Sequence, residues 1–226
     1  MVTDPKERRR KLLEHIGRYR FTLREVVSKL FLEDKDPSNL LRKLYEEGVI
    51  VFHNRLAGTS LPGGFSYYQL SPEGVRQAGF PKSRANALDN RVPQYLAFLT
   101  FCCLGEKRRE LLEPDQFKRC FPNSSAVHNE FYAVEKSTNG PVFYRLIYVG
   151  SSDPSHYVKR LSDVLEKAMA DRDQKLLLSK KHFRPTLLLS EPGQESFFKE
   201  LIKKSSLIPK RHRSAIHMEI ANYLRV

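Results

Sequence analysis

The sequence predicts an α+β protein of two domains. Between Thr22 and Gly74, short apolar-periodic helices precede two extended runs around a glycine-rich tip. Beyond residue 110, two-residue and three-to-four-residue apolar periods alternate, as in a small α/β domain with a mixed sheet. The loop-rich stretch Pro81–Pro93 separates the two patterns.

The first helix is expected to start at the N-cap Asp4, with Pro5 in its first turn, and to run through Leu12, Leu13 and Ile16 to a stop at Gly17. Leu23, Val26, Val27 and Leu30 give the second helix one apolar face. Asp36-Pro37 opens the third. On it Leu40, Leu41 and Leu44 face inward, and Ser38, Asn39, Arg42, Lys43 and Glu46 point away until Gly48 ends the helix. Val49–Phe52 and Phe65–Leu70 then flank the polar segment His53–Gly64, whose Leu61-Pro62-Gly63-Gly64 suits a hairpin tip. Helix, turn, helix and hairpin outline a winged helix-turn-helix over residues 1–80. The run Tyr67-Tyr68-Gln69-Leu70-Ser71-Pro72-Glu73-Gly74 resembles the tyrosine-leucine-threonine-x-x-glycine ending common in bacterial winged-helix proteins, with Ser71 keeping the hydroxyl cap.

An exposed helix of this kind fits the major groove of double-stranded DNA. Asn39 and Arg42 can offer paired hydrogen bonds to base edges, and Lys43 and Arg55 suit phosphates. The expected DNA-binding set is therefore Ser38, Asn39, Arg42, Lys43 and Arg55. The alternative is that these side chains are merely solvated and that the domain grips a protein.

The 226 residues carry a formal charge of +13, spread over both halves: 17 Lys and Arg against 11 Asp and Glu in residues 1–92, and 22 against 15 in residues 93–226. That balance favours a polyanionic partner, since each cation placed on a phosphate releases counterions. The chain has no apolar run of about 18 residues and no signal-peptide core behind Met1–Lys11, so a soluble cytoplasmic protein is expected. Cys102, Cys103 and Cys120 read as buried thiols in a reducing compartment. Paired metal-ligand spacings, a phosphate loop, a dinucleotide fingerprint and a nucleophile elbow are all missing, so neither metal nor cofactor is expected.

Pro81–Asn86 reads as a hinge or loop, and Tyr95, Leu96, Phe98, Leu99 and Leu104 as a bridging helix, giving a linker region 81–110. In the C-terminal domain, 111–226, a short helix opens at Leu112–Asp115 and ends near Phe121-Pro122. Two strands follow around Ser137–Pro141, then a helix at Pro154–Asp173, a strand at Arg184–Leu189 and a helix at Gln194–Lys203. The expected order is β-β-α-β-α, with Lys210–Arg213 a basic stop between helices. Tyr67, Tyr68, Tyr132, Tyr144 and Tyr148 could stack on unpaired bases, but alternating tyrosines in strands more often pack a sheet.

The wing ending, the bridging helix and this element order together are similar to the replication-relaxation proteins of bacterial plasmids, phages and mobile elements. The resemblance implies DNA binding in replication, mobilisation or transcriptional control, and a second domain like a degenerate restriction-endonuclease fold. Such nucleases need an acidic residue near one strand and an acidic-x-lysine pair on the next, to hold Mg²⁺ and to orient water. Glu130, Glu135, Lys136 and Asp153 lie in the corresponding region. Glu135 and Lys136 are adjacent, however, and Phe143–Val149 contains no carboxylate. By strand alternation Glu130 and Lys136 share a face that Glu135 does not. Arg211-His212-Arg213 with Tyr223 invites comparison with tyrosine-nucleophile strand transferases but lacks their flanking spacing.

The expected function is that of a sequence-specific DNA-binding regulator, or replication or mobilisation accessory factor, without catalysis. A homodimer is expected because operators are usually twofold symmetric. The alternatives are a Mg²⁺-dependent nuclease and a protein-binding adaptor in a larger nucleoprotein assembly.

Overall fold

The computed structural model describes residues 4–55, 65–124 and 130–221 and divides the chain between Leu99 and Thr100, inside the stretch read as linker and bridging helix. The two units are Met1–Leu99 and Thr100–Val226.

In the first unit the Asp4 carboxylate accepts a hydrogen bond from the Lys6 amide at 3.1 Å and starts α1 (Pro5–Tyr19). The expected stop at Gly17 is corrected. The helix runs on to Tyr19 and ends at Arg20, whose φ of +73° breaks the turn. Gly17 serves packing instead, because a Cβ there would lie 2.2 Å from the Phe80 ring. Next come α2 (Arg24–Phe31) and α3 (Ser38–Glu46). Val27 of α2 and Leu41 and Leu44 of α3 pack with Leu12, Leu13 and Ile16 in one apolar core. Gly48, at φ +68°, turns the chain into β1 (Ile50–Arg55), which pairs antiparallel with β2 (Phe65–Leu70). On the far side of β2, Thr22 bridges to Tyr68. The tip Leu61–Gly64 lies outside the described residues.

Ser71 caps α4 (Pro72–Gln77): its hydroxyl accepts from the Gly74 amide at 3.0 Å and donates to the Gly48 carbonyl at 2.6 Å. The Pro81–Asn86 stretch is a short 3-10 turn, tied to this unit by side chains that satisfy its carbonyls. Buried Gln69 donates to the Asn86 carbonyl at 2.7 Å and Arg20 to that of Ser83 at 3.0 Å. In return, Arg84 donates to the Gly17 carbonyl at 3.1 Å near the end of α1. The unit closes with α5 (Val92–Leu99).

A π turn, Thr100–Leu104, opens the second unit. It is followed by β3 (Arg109–Leu112), α6 (Pro114–Cys120), β4 (Phe131–Ser137), β5 (Gly140–Tyr148), α7 (Pro154–Ala170), α8 (Arg172–Ser179), β6 (Phe183–Leu189), α9 (Gln194–Lys204) and β7 (His217–Ile220). The strands lie in sequential order from β3 to β7. Pairs β3/β4 and β4/β5 are antiparallel, while β5/β6 and β6/β7 are parallel. The molecule is thus mixed α+β, with a five-stranded mixed sheet and a two-stranded one.

The β-β-α-β-α order is corrected by two edge strands, β3 and β7. Each is only four residues long, and β7 is half-buried throughout, so it leaves no alternating trace in the sequence. The helix expected over Pro154–Asp173 is two helices. Asp171 leaves the first (φ −90°, ψ 126°), and its carboxylate caps α8 by accepting from the amides of Asp173 and Gln174. The basic stop Lys210–Arg213 begins a 3-10 turn (Lys210–Ala215) that leads into β7. There Arg213 donates to the carbonyls of Lys203, Ser205 and Ile208, capping the end of α9. Cys102 and Cys103 are buried as expected, but Cys120 is exposed.

Candidate nucleic-acid interface and buried charge clusters

The apolar stripe of α3 faces the core, so geometry turns its polar stripe outward. Asn39, Arg42 and Lys43 are exposed. Arg42 donates to the Asn39 side-chain oxygen at 3.3 Å, and its guanidinium lies 3.9 Å from Glu46. Asn39 and Arg42, one helical turn apart, thus form a single hydrogen-bonding edge. Ser38 plays a different part. It is half-buried, and its amide and hydroxyl both donate to Asp36, at 3.0 and 2.9 Å, as the N-terminal anchor of α3. Arg55 ends β1, and its side chain lies outside what the structure describes. Tyr45 on α3 and Phe52 on β1 are exposed, the latter at 44% and packed 5.3 Å from Tyr68.

The nuclease candidates are not brought together. Glu130 precedes β4 and Glu135 lies five residues on, about 16 Å along the strand at its usual rise. Glu130 accepts from the Tyr132 hydroxyl at 2.6 Å and from Lys167 of α7 at 2.9 Å, and lies 3.7 Å from the Arg145 guanidinium. Burial pushes this carboxyl up, but the Tyr132 hydroxyl, Arg145 and Lys167 outweigh it and hold it below the ordinary 4.5. Arg145 is itself 4% exposed, lies over the Tyr132 ring and donates to the Leu146 carbonyl at 2.7 Å; burial lowers its pKa.

Glu135 lies on the opposite face, in a second cluster. It accepts from the Tyr144 hydroxyl at 2.6 Å and from Lys107 at 3.1 Å, and Arg109 is 3.4 Å away. Arg109 bridges in turn to Glu219 of β7 at 3.0 Å and donates to the Phe101 carbonyl of the π turn at 2.9 Å. Its guanidinium lies over the rings of Phe101 and Tyr144, 3.9 and 5.1 Å from their centroids. His217 completes the cluster, 3.1 Å from Glu219. Lys136 is exposed, and the Asp153 carboxylate accepts from the Ser155 amide at 2.7 Å as the cap of α7. Among the described residues, no group of three His, Cys, Asp or Glu side chains could hold a metal ion. Tyr67, Tyr132 and Tyr144 are buried, whereas Tyr68 and Tyr148 are half-buried. Tyr223 lies outside the described residues.

Sequence reading missed both clusters. Arg145, a lone charge in an apolar strand, is the one visible sign that a buried partner was needed. Arg109 and Glu219 are 110 residues apart and only the sheet joins them.

These clusters predict acid lability. Glu130, Glu135 and Glu219 all have folded pKa values below 4.5, so their stabilisation is complete well above that value and is lost as pH falls through the lower folded values. The urea midpoint of the second unit should be flat above about pH 6 and fall steeply below about pH 4.5. Glu135→Gln should flatten that fall; an unchanged acid slope in the variant would remove the cluster as its source.

Among the described residues, no helix is long and apolar enough to cross a membrane. Comparison of the chain with protein-family models, with curated proteins and with solved structures finds no match.

Proposed function

We propose that the chain is a sequence-specific double-stranded DNA-binding protein, with the first unit a winged helix-turn-helix whose α3 enters the major groove. The observation that carries this reading is the outward edge of α3, where Asn39 and Arg42 stand together with Lys43 beside them. A bidentate amide matches adenine and a bidentate guanidinium matches guanine. Glu46 would keep Arg42 aligned until bases replace it. The hairpin behind α3 and the basic balance of the unit support the same reading.

We read the second unit as a non-catalytic α/β domain of the restriction-endonuclease type, because guanidinium, ammonium and phenol groups already occupy Glu130 and Glu135. The role this supports is that of a regulator, or of an accessory factor in replication or mobilisation in a bacterium or mobile element. A homodimer would match a twofold site.

Selection of duplex sites from a random pool, followed by titration of the winner against an unrelated duplex, tests the reading. Asn39→Ala and Arg42→Ala should each lower the preference for the selected site about ten- to a hundredfold. Lys43→Ala should weaken both duplexes alike. Unchanged preference in the Asn39 and Arg42 variants would remove α3 as the reading element.

A further inference from the structure

Charged side chains are unevenly distributed between the two ends of the five-stranded sheet. Glu113 follows β3, Glu130 precedes β4, Asp153 follows β5 and Glu191 follows β6, so carboxylates collect at one end, where Arg145 and Lys167 pair with Glu130. The other end is basic. Lys107 and Arg108 lead into β3, Lys136 lies near the end of β4, and Lys180 and Lys181 lead into β6.

Strand register places these cations in rows. Arg109 pairs with Glu135 and Glu135 with Val142, while the Phe143 amide donates to the His182 carbonyl at 2.7 Å. Arg108 and Lys136 thus stand one residue out from the paired Arg109–Glu135 level, and Lys181 one residue out from His182 in the turn before β6, with Lys107 and Lys180 a residue further out at the same rim. With strands about 4.8 Å apart, the row is about 14 Å long. The Lys180-Lys181 turn is held by the backbone, with Lys181 at φ +60° and its amide donating to the Leu178 carbonyl at 3.1 Å. Arg108, Lys136, Lys180 and Lys181 are exposed and have no ion-pair partner among the described residues. Lys107 is committed to Glu135, although its side chain remains 59% exposed, and Glu106 and, two residues beyond Arg108, Glu110 are exposed acids near this rim.

A helix C-terminus favours Lys180 and Lys181, but it explains neither Arg108 nor Lys136, which arrive from other elements. What the row matches is a line of fixed anions. Duplex DNA offers one charge per about 3.4 Å of axis on each strand, more widely spaced along the winding backbone itself, so about 14 Å of cations faces a short run of phosphates. A membrane surface would be better served by exposed apolar side chains among the cations. Neither level carries an exposed large apolar side chain.

We propose that this rim is a second DNA-binding surface, which grips the phosphate backbone of duplex DNA without reading sequence. The inference does not depend on α3 reading bases. Its test is the salt dependence of duplex affinity, measured by fluorescence anisotropy on the full chain carrying Lys136→Ala, Lys180→Ala and Lys181→Ala together. All three sites are exposed, so folding should be retained. The slope of log affinity against log salt should become shallower by roughly 2 to 3. Selected and unrelated duplexes should weaken by the same factor, at least about tenfold at low salt. A control with equal charge loss on the helices (Lys118→Ala, Lys159→Ala, Lys199→Ala) should keep the parental slope. A rim variant that behaves like this control overturns the proposal. So does one that loses sedimentation with phosphatidylserine vesicles while its duplex slope is unchanged, which would assign the rim to a membrane surface. Failure of the α3 reading is separately visible, because it appears in the ratio of the two duplex affinities and not in their common slope.

Discussion

Replacing Arg109 by alanine should destabilise the second unit by about 3 to 5 kcal/mol, the range seen when one partner of a buried ion pair is removed. The side chain is 5% exposed and meets two carboxylates, one backbone carbonyl and two aromatic faces. Alanine would leave Glu135 with Lys107 and the Tyr144 hydroxyl, and Glu219 with His217, around an emptied space. Burial alone would depress the Arg109 guanidinium, yet Glu219 overcomes this and keeps its pKa above the ordinary value, so the charge is fully present in the fold. Urea and thermal melts of the full chain should show the second-unit transition falling by about 10 °C or more. Arg109→Lys, which keeps the charge and loses the fork, should fall between the two. Adding Glu219→Gln to Arg109→Ala should cost less than the two separate losses combined, because the neutral amide no longer needs the cation. A parental melt for Arg109→Ala would mean that the cluster is solvated rather than structural.

Gly74→Ala should be nearly as damaging, at about 3 kcal/mol. The position has no positive φ, so ordinary propensity would make alanine an improvement in a helix. The structure reverses that expectation. A Cβ on Gly74 would stand 2.1 Å from the Val49 carbonyl oxygen and 3.1 Å from its carbon. That oxygen cannot swing away cheaply, since it accepts the Ser71 amide at 3.0 Å and sits where the chain enters β1. Relief would separate α4 from the hairpin and break the Ser71 cap. Loss of the first-unit transition in thermal melts would follow. Gly79→Ala is a useful comparison: its φ of +72° strains the backbone, but nothing lies within 4 Å of the added methyl. A Gly74→Ala variant that melts with the parent would show that this junction is looser than its geometry.

Much of the first unit is legible in the sequence. Asp4, Pro5, the leucine spacing of α3 and the glycine at 48 each act through a local rule, and local rules survive without knowledge of partners. The Tyr67–Gly74 run was legible as a pattern but not as a mechanism. Gln69 holds a loop seventeen residues away, and Gly74 is there for a close approach rather than for a turn.

By itself, the sequence determined the mixed α+β class, the helix, helix, hairpin order, the central strands and the outward face of α3. These depend on periods of two or 3.6 residues and on caps, all contained within a few neighbours. Only the tertiary structure decided the edge strands β3 and β7, the pairing of Arg109 with Glu135 and Glu219, and the row of cations at one sheet rim. Each of these rests on strand register between segments up to 110 residues apart, and register is set by the packing of whole faces.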